Sequence, residues 1–132
     1  MSKPGAPAIS EAESHVMEVL WKQAPQGSED LASALHGDTG WHENTVRTLL
    51  NRLIKKGAVR AEREGRRYLY SPVLTREAWQ AHESRSLLDR VFGGRVAPLL
   101  VHFSRNEKLG AKDVAELRKL VDRLEKKERH HD

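Results

Sequence analysis

The segment from residue 42 to residue 71 constrains the fold most, because its hydrophobic periodicity changes from helical to strand-like partway along it. Apolar residues first recur at helical spacing, at Val46, Leu49, Leu50, Leu53 and Ile54. Beyond Gly57, two short runs at 59–63 and 67–72 flank Gly65, which can adopt the positive φ of a tight turn. The segment is therefore predicted to form one helix followed by a β-hairpin.

Positive charge is concentrated in the same segment. Between Arg47 and Arg67 the chain has eight basic and two acidic residues, a net charge of about +6, whereas the whole chain carries +4. The rest of the chain therefore sums to −2, so the positive charge is local. A basic helix joined to a basic hairpin is typical of a surface that contacts a polyanion such as duplex DNA.

Two helices are predicted before this segment. Ser10 and Glu13 form a capping box that starts the first helix, and this helix ends before Pro25. The second helix is capped by residues 28–30 and stops at Gly37. Three helices followed by a hairpin predict a winged helix-turn-helix, a mainly α fold with a small β-hairpin wing.

The chain is helical again from Thr75 onward, in helices with one apolar face each and little else to cover it. Helices added after a closed winged helix usually pair with a second copy, so we expect a C-terminal helical dimerisation region and a homodimer. The predicted dimerisation residues are Leu87, Leu88, Val91, Val96, Leu99, Leu100, Phe103, Leu117, Leu120, Val121 and Leu124.

These patterns divide the chain into four segments. Residues 1–8, rich in Pro and Gly, are expected to be a disordered lead. The winged-helix DNA-binding domain is assigned to residues 9–73 and the helical dimerisation domain to residues 74–127. Residues 128–132 are assigned to a charged tail.

The outward positions of the third predicted helix carry side chains suited to duplex DNA. Arginine can bond guanine bidentately, asparagine can bond adenine, and threonine can meet a thymine methyl group. The base or phosphate contacts nearest the groove are assigned to Asn44, Thr45, Arg47, Thr48 and Asn51. Contacts to the DNA backbone are assigned to Arg52, Lys55 and Lys56, and contacts to phosphates or the minor groove to the wing residues Arg63, Arg66 and Arg67.

The composition argues against other classes of protein. The chain has no cysteine, which excludes disulfides, thiolate metal sites and a cysteine nucleophile. Its seven histidines form no HxxxH or HExxH pair, so no metal is assigned. No catalytic residue and no cofactor are assigned either, and we expect a protein that is not an enzyme. No stretch approaches the roughly 18 apolar residues of a membrane span, so we expect a cytoplasmic protein with no membrane partner.

Several motifs extend over nearly the whole chain, from about residue 9 to residue 125. They are Ile9-Ser10-Glu11-Ala12-Glu13 with Val16-Met17 and Leu20-Trp21; Trp41 with Thr45-Val46-Arg47-Thr48-Leu49-Leu50-Asn51-Arg52-Leu53 and Lys55-Lys56-Gly57; Tyr68-Tyr70-Ser71-Pro72; and Ser84-Arg85-Ser86-Leu87-Leu88-Asp89-Arg90-Val91-Phe92-Gly93-Gly94. In their order and spacing they resemble the BlaI/MecI penicillinase-repressor family of bacterial transcriptional regulators.

The resemblance implies a homodimeric repressor bound to a palindromic double-stranded operator in front of β-lactamase-type or stress-response genes. It also implies release by proteolysis within the dimerisation region, set off by a membrane sensor of β-lactams and its linked protease. The family's Asn-Phe cleavage bond corresponds here to His102-Phe103, so the phenylalanine is kept and the asparagine is not. The copper-responsive branch of the family uses C-terminal cysteine pairs, which this chain lacks.

Two alternatives stay open from the sequence alone. A winged-helix module can bind a protein instead of DNA, although that role favours an apolar or acidic surface and the surface here is basic. A regulator released by a small molecule would need a pocket, for instance at the dimer interface. The chain is short for a separate ligand-binding domain.

Overall fold

The protein is described by a computed structural model that covers residues 6–107 and 109–131. Its elements are α1 (Glu11–Lys22), α2 (Ser28–Thr39), α3 (Glu43–Lys55), β1 (Val59–Glu64), β2 (Arg67–Pro72), α4 (Arg76–Val91), α5 (Val96–Asn106) and α6 (Ala111–His131). They belong to two compact units, the first ending at Ser86 and the second beginning at Leu87. The predicted mainly α fold with a small β-hairpin is confirmed.

The capping box predicted at the start of α1 is present. The backbone N–H of Glu13 donates to Ser10 Oγ at 3.1 Å, and the N–H of Ser10 donates to Glu13 Oε1 at 2.7 Å. Of the predicted disordered lead, residues 1–5 lie outside the described residues, whereas Ala6 packs against the core. The start of α1 is therefore fixed by side chains on both sides of its first turn.

The prediction that Gly37 stops α2 is wrong. The helix continues to Thr39, and Gly40, with φ at 73°, closes it by donating its N–H to the carbonyl of His36 at 2.7 Å. A glycine inside a helix costs only about 1 kcal/mol relative to alanine, so Gly37 is tolerated there. The left-handed conformation that ends the helix is the position that requires glycine, and Gly40 occupies it.

The hydrophobic core of the first unit fixes the orientation of α3. Among the described residues, the buried hydrophobic side chains all lie between Val16 and Leu74. α3 contributes Val46, Leu49, Leu50 and Leu53 to this core, at the spacing of one helical face. Because that face is buried, the polar residues between these positions must point away from the core.

Buried Glu13 ties α1 to the end of α3. Its side chain is only 1% exposed and accepts a hydrogen bond from Lys56 Nζ at 2.5 Å. Burial raises the pKa of Glu13, but the Lys56 ammonium and the hydrogen bonds from Ser10 outweigh it, so the net pKa lies below the usual glutamate value. The carboxylate is therefore charged at neutral pH and depends on Lys56 for compensation.

The hairpin closes through a shorter turn than the sequence indicated. Glu64 pairs with Arg67 in the ladder, which leaves Gly65 and Arg66 as a two-residue turn, with Gly65 at φ 65°. A further bridge that the sequence did not reveal joins Gln26 to Tyr70, with backbone N–H to carbonyl distances of 3.1 and 2.8 Å. This bridge anchors β2 to the chain just before α2.

The first turns of α4 belong to the same unit as the winged helix. Trp21 Nε1 donates to the carbonyl of Leu74 at 2.8 Å, and its ring lies 5.4 Å from that of Trp79. Arg76 bridges to Glu18 at 2.8 Å and places its guanidinium over the Trp21 ring. The boundary assigned after residue 73 therefore lies inside the first compact unit, which extends to Ser86.

The second unit contains the end of α4 together with α5 and α6. The adjacent glycines Gly93 and Gly94, at φ 60° and 78°, separate α4 from α5 as predicted. α6 does not end at residue 127 but continues through the predicted charged tail to His131. Among the residues that the structure describes, no helix combines the length and apolar character needed to cross a membrane.

Candidate nucleic-acid interface

The polar face of α3 lies at the surface. All eleven residues assigned to DNA contact have exposed side chains, eight of them on or next to α3 and three on the hairpin. They are Asn44, Thr45, Arg47, Thr48, Asn51, Arg52, Lys55, Lys56, Arg63, Arg66 and Arg67. The exposure of the α3 residues follows from the burial of its apolar face, which leaves the opposite face of the helix in contact with solvent.

Thr48 is held in a defined orientation on this face. Its hydroxyl donates to the carbonyl of Asn44, one turn earlier, at 3.0 Å. The hydroxyl proton is therefore used within the helix, while the oxygen can still accept a hydrogen bond and the methyl group is free to make apolar contact. Such a threonine can meet a thymine methyl group in a major groove.

Arg47 is held by Glu43 on its own helix and by Ser28 at the start of α2, two contacts that sequence reasoning missed. Its Nη2 donates to Glu43 Oε2 at 2.7 Å, and its Nε lies 3.4 Å from Ser28 Oγ, which itself donates to Glu43 at 2.9 Å. The i,i+4 spacing of Glu43 and Arg47 was the available signal for the first contact. These contacts hold the guanidinium between α2 and α3, so less side-chain freedom is lost when it binds.

A cationic concavity opens beside Arg47. It has a volume of about 450 Å³ and lies between the start of α2, the start of α3 and the hairpin. Its basic and aromatic lining comprises Arg47, Arg66, Arg67, Tyr68 and Tyr70. The guanidinium of Arg67 lies close to Gly27, the N-cap of α2, since a Cβ placed on Gly27 would be 3.8 Å from Arg67 Cζ.

This concavity has the chemistry of an anion-binding surface. The first turn of a helix presents unpaired backbone N–H groups and the positive end of the helix dipole. Arginine adds a planar set of donors that matches the oxygens of a phosphate. Glu29 and Glu43 also line the space, and Glu43 is already neutralised by Arg47. The net character remains cationic.

The tip of the hairpin presents the remaining arginines. Arg63 Nε donates to the carbonyl of Gly65 at 3.2 Å, which orders its side chain across the turn. Arg66 is the second turn residue, and Arg67 follows it at the start of β2. Arg66 and Arg67 line the concavity together with Arg47 and so extend the basic surface of α3 onto the hairpin. Arg63 lines a separate hollow beside Glu62 and Glu64.

Lys56 has a structural partner in addition to its predicted contact. Its ammonium group binds the buried carboxylate of Glu13, and its side chain is 36% exposed. A phosphate would have to share this ammonium with Glu13, whereas the neighbouring Lys55 is exposed and has no such tie to α1. The role assigned to Lys56 in DNA contact stays a prediction.

The residues assigned to dimerisation form an unburied apolar set in the second unit. Leu87, Val91, Val96, Phe103, Leu120, Val121 and Leu124 are exposed, and Leu88, Leu99, Leu100 and Leu117 are half-buried. Val101 and Val114, which were not assigned, are exposed as well. The suggested cleavage bond His102-Phe103 lies inside α5, where Asn106 Nδ2 donates to the carbonyl of His102 at 3.1 Å.

Possible metal ligands do not gather in groups of three in the part of the chain that the structure describes. Within the ranges 6–107 and 109–131, no three His, Cys, Asp or Glu side chains are grouped so that they could hold a metal ion. Glu43 in the interface is engaged with Arg47 and Ser28. What the arrangement can do is bind an extended polyanion across α3, the concavity and the hairpin.

Comparison with known proteins places this surface in context. A family model described as "Penicillinase repressor" matches residues 9–123. The penicillinase repressor of Bacillus licheniformis is 32% identical over 116 residues, covering 88% of this chain and 91% of the relative. The penicillinase repressor of Staphylococcus aureus is 27% identical over 119 residues, covering 90% and 94%.

A solved structure gives the corresponding comparison for the fold. The solution structure of the DNA binding domain of the repressor BlaI matches with a TM-score of 0.51 and 37% sequence identity. The match covers 59% of this chain and 93% of that domain. The similarity therefore extends over nearly all of a domain whose name states that it binds DNA.

Proposed function

The chain belongs to the penicillinase repressor family, and from this membership we propose that it is a dimeric transcriptional repressor that reads a palindromic operator with α3 and the hairpin wing. Family membership makes it a DNA-binding repressor and not an enzyme. The dimeric state, the operator, the regulated genes and the mechanism of release are the proposed parts. The observation that carries the proposal is the continuous basic surface of α3, the concavity and the wing.

The proposed mode of DNA binding follows from the placement of this surface. α3 is about 20 Å long at 1.5 Å per residue, and it exposes its polar face along this length, which suits insertion into a major groove. In this mode the side chains that approach base edges or the nearest phosphates are Asn44, Thr45, Arg47, Thr48 and Asn51. Arg67 and the first turn of α2 then bind a flanking phosphate, and Arg66 contacts the adjoining DNA backbone or the minor groove.

The proposed dimer accounts for the apolar surface of the second unit. Isolated exposed hydrophobic side chains are ordinary, but here every large apolar residue of the described second unit lacks full burial. A second copy is the occupant that best fits, since two identical recognition helices match the two halves of a palindrome. Apolar burial between the copies would link the two half-site binding events.

The proposed target genes rest on the relatives, and the proposed release mechanism rests on the resemblance to the BlaI/MecI family. Two relatives are named penicillinase repressors, so genes of β-lactamase type are proposed as targets. Stress-response genes are the alternative that the family resemblance implies. Cleavage at His102-Phe103 by a sensor-linked protease would require α5 to open, because proteases act on extended chain and this bond is helical. The proposal therefore couples release to local unfolding of α5.

Replacement of Arg47 or Thr48 by alanine tests the proposed base contacts. Each change should weaken operator binding about 5- to 100-fold, the range for losing a specific base contact, while binding to random duplex falls much less. The measurement is a titration of both duplexes at one salt concentration, with Arg123→Ala on α6 as the control. An equal loss of affinity for both duplexes would show that these residues contact phosphates and not bases.

A further inference from the structure

Two histidines that are separated in sequence meet at the turn between α2 and α3. His36 lies in the last turn of α2, and His42 is the residue that caps α3. Their imidazole rings have centroids 5.3 Å apart and planes inclined by 44°. Both side chains are exposed, and they line one shallow cavity of about 360 Å³ together with Trp41 and Glu43. The pair is therefore accessible to a small cation.

A hydrogen bond sets which nitrogen of His36 is available. His36 Nδ1 lies 3.0 Å from the carbonyl oxygen of Trp41. A carbonyl can only accept, so in the neutral ring Nδ1 carries the proton and Nε2 keeps a free lone pair. Histidines that ligate metals commonly donate their other ring N–H to a backbone carbonyl in this way, which fixes the tautomer and the ring orientation.

The distance between the two ring centroids is close to that expected for two imidazoles that ligate one metal ion. A tetrahedral ion bonds imidazole nitrogen at about 2.0–2.1 Å, which places the centroids of two ligating rings roughly 5 Å apart. The observed 5.3 Å is close to this separation. Imidazole nitrogens select borderline divalent ions such as Zn²⁺, Ni²⁺ and Cu²⁺ over Mg²⁺ and Ca²⁺, which prefer oxygen.

We propose that His36 and His42 bind a divalent transition-metal ion, with water completing the coordination, and that this ion clamps α2 to α3. Glu43 is not counted as a ligand because Arg47 and Ser28 already occupy its carboxylate. The clamp would bridge the Gly40–Trp41 turn that joins the two helices. The sequence did not reveal this site, because the two histidines lie on different elements and fit no ligand motif.

The experiment measures Zn²⁺ binding by calorimetry on the full chain in which His130 and His131 are replaced by alanine, so that the C-terminal histidine pair does not compete. One ion should bind per chain. His36→Ala or His42→Ala in this background should weaken binding at least tenfold, whereas His82→Ala on α4 should leave it unchanged. Unaltered affinity in both variants would overturn the proposal and leave the two rings in simple packing contact.

A second measurement uses the chain with both rings intact, in case a variant fails to fold. Substoichiometric Cu²⁺ broadens NMR signals of residues close to the ion. The ring signals of His36 and His42 should broaden first, ahead of those of His15 and His82. Earlier broadening elsewhere would contradict the site. Neither readout involves DNA, so failure of the metal site is distinguishable from failure of the proposed repressor function.

Discussion

Replacing Phe103 by aspartate is expected to convert the protein to a monomer and to lower its affinity for a two-half-site operator by about 100-fold or more. Phe103 lies on α5, well away from α3 in the chain, and its side chain is 39% exposed in the single chain. In the proposed dimer this ring is buried, so a carboxylate there would bring an unpaired charge out of water. Leu99→Asp on the same helix should act in the same direction.

The size of the effect comes from the link between the two half-sites. When one dimer binds both halves, the second contact is intramolecular and gains from a high effective concentration. A monomer loses that gain while keeping α3 and the wing intact. Affinity for a single half-site should therefore be unchanged, which separates loss of dimerisation from loss of folding.

Sedimentation equilibrium and operator titration measure the two parts of this prediction. Lys119→Asp is the control, because it places the same aspartate side chain on α6 about 200° around the helix from Leu117. The control should stay dimeric and bind the operator normally. A Phe103→Asp protein that remains dimeric with unchanged affinity would show that the dimer interface lies elsewhere.

The second large effect is expected from Lys56→Met, which should lower the free energy of unfolding by about 2–3 kcal/mol. Removing one member of a buried ion pair usually costs 3–5 kcal/mol, and the lower figure allows for the partial exposure of Lys56. The loss arises because Glu13 stays buried without its counter-charge. Against a typical total stability of about 5–15 kcal/mol, this is a substantial fraction.

Urea unfolding at one fixed protein concentration measures this change, since dimerisation would otherwise alter the apparent stability. Lys55→Met is the control, because it removes the same charge from the adjacent, exposed position of α3. The control should keep the stability of the parent chain and lose only affinity for DNA. Equal stability of Lys56→Met and Lys55→Met would exclude a structural role for the Lys56–Glu13 pair.

The pH dependence of the same pair has a defined sign. Because the pKa of Glu13 is lowered in the folded protein, its contribution is complete above the unfolded value and is lost as the pH falls through the folded value. Lys56→Met removes the ammonium that lowers the pKa of Glu13, so burial raises this pKa above its value in the parent chain. Acid should therefore lower the stability of the variant less than that of the parent. The stability gap should be largest near neutral pH and narrow below about pH 4.5, whereas a constant gap would contradict the assignment.

The sequence predicted the features that depend on neighbouring residues. The capping box needs only Ser10 and Glu13 three residues apart, and the hairpin needs Gly65 between two strand-like runs. The orientation of α3 followed from the helical spacing of its apolar residues, which also placed the assigned DNA contacts on the exposed face. These are local signals, and they determined the fold of the winged helix.

The contacts that the sequence did not predict join distant parts of the chain. Lys56 and Glu13 are 43 residues apart, and Arg76 and Glu18 are 58 residues apart. No periodicity encodes such pairs, because either partner alone has the appearance of an ordinary surface charge. The incorrect prediction of where α2 ends has a different cause. Gly37 and Gly40 are equally plausible stops from the sequence, and only the left-handed conformation of Gly40 distinguishes them.

Binding of the purified protein to the DNA upstream of its own gene, compared with a scrambled duplex across a salt series, tests whether α3 and the wing bind an operator. We expect tight binding selective for the upstream DNA, two protein copies per operator, and a steep salt dependence with a slope of about −0.9 per phosphate neutralised. Weak binding that is equal on both duplexes and insensitive to salt would contradict the proposal that α3 and the wing form an operator-binding surface.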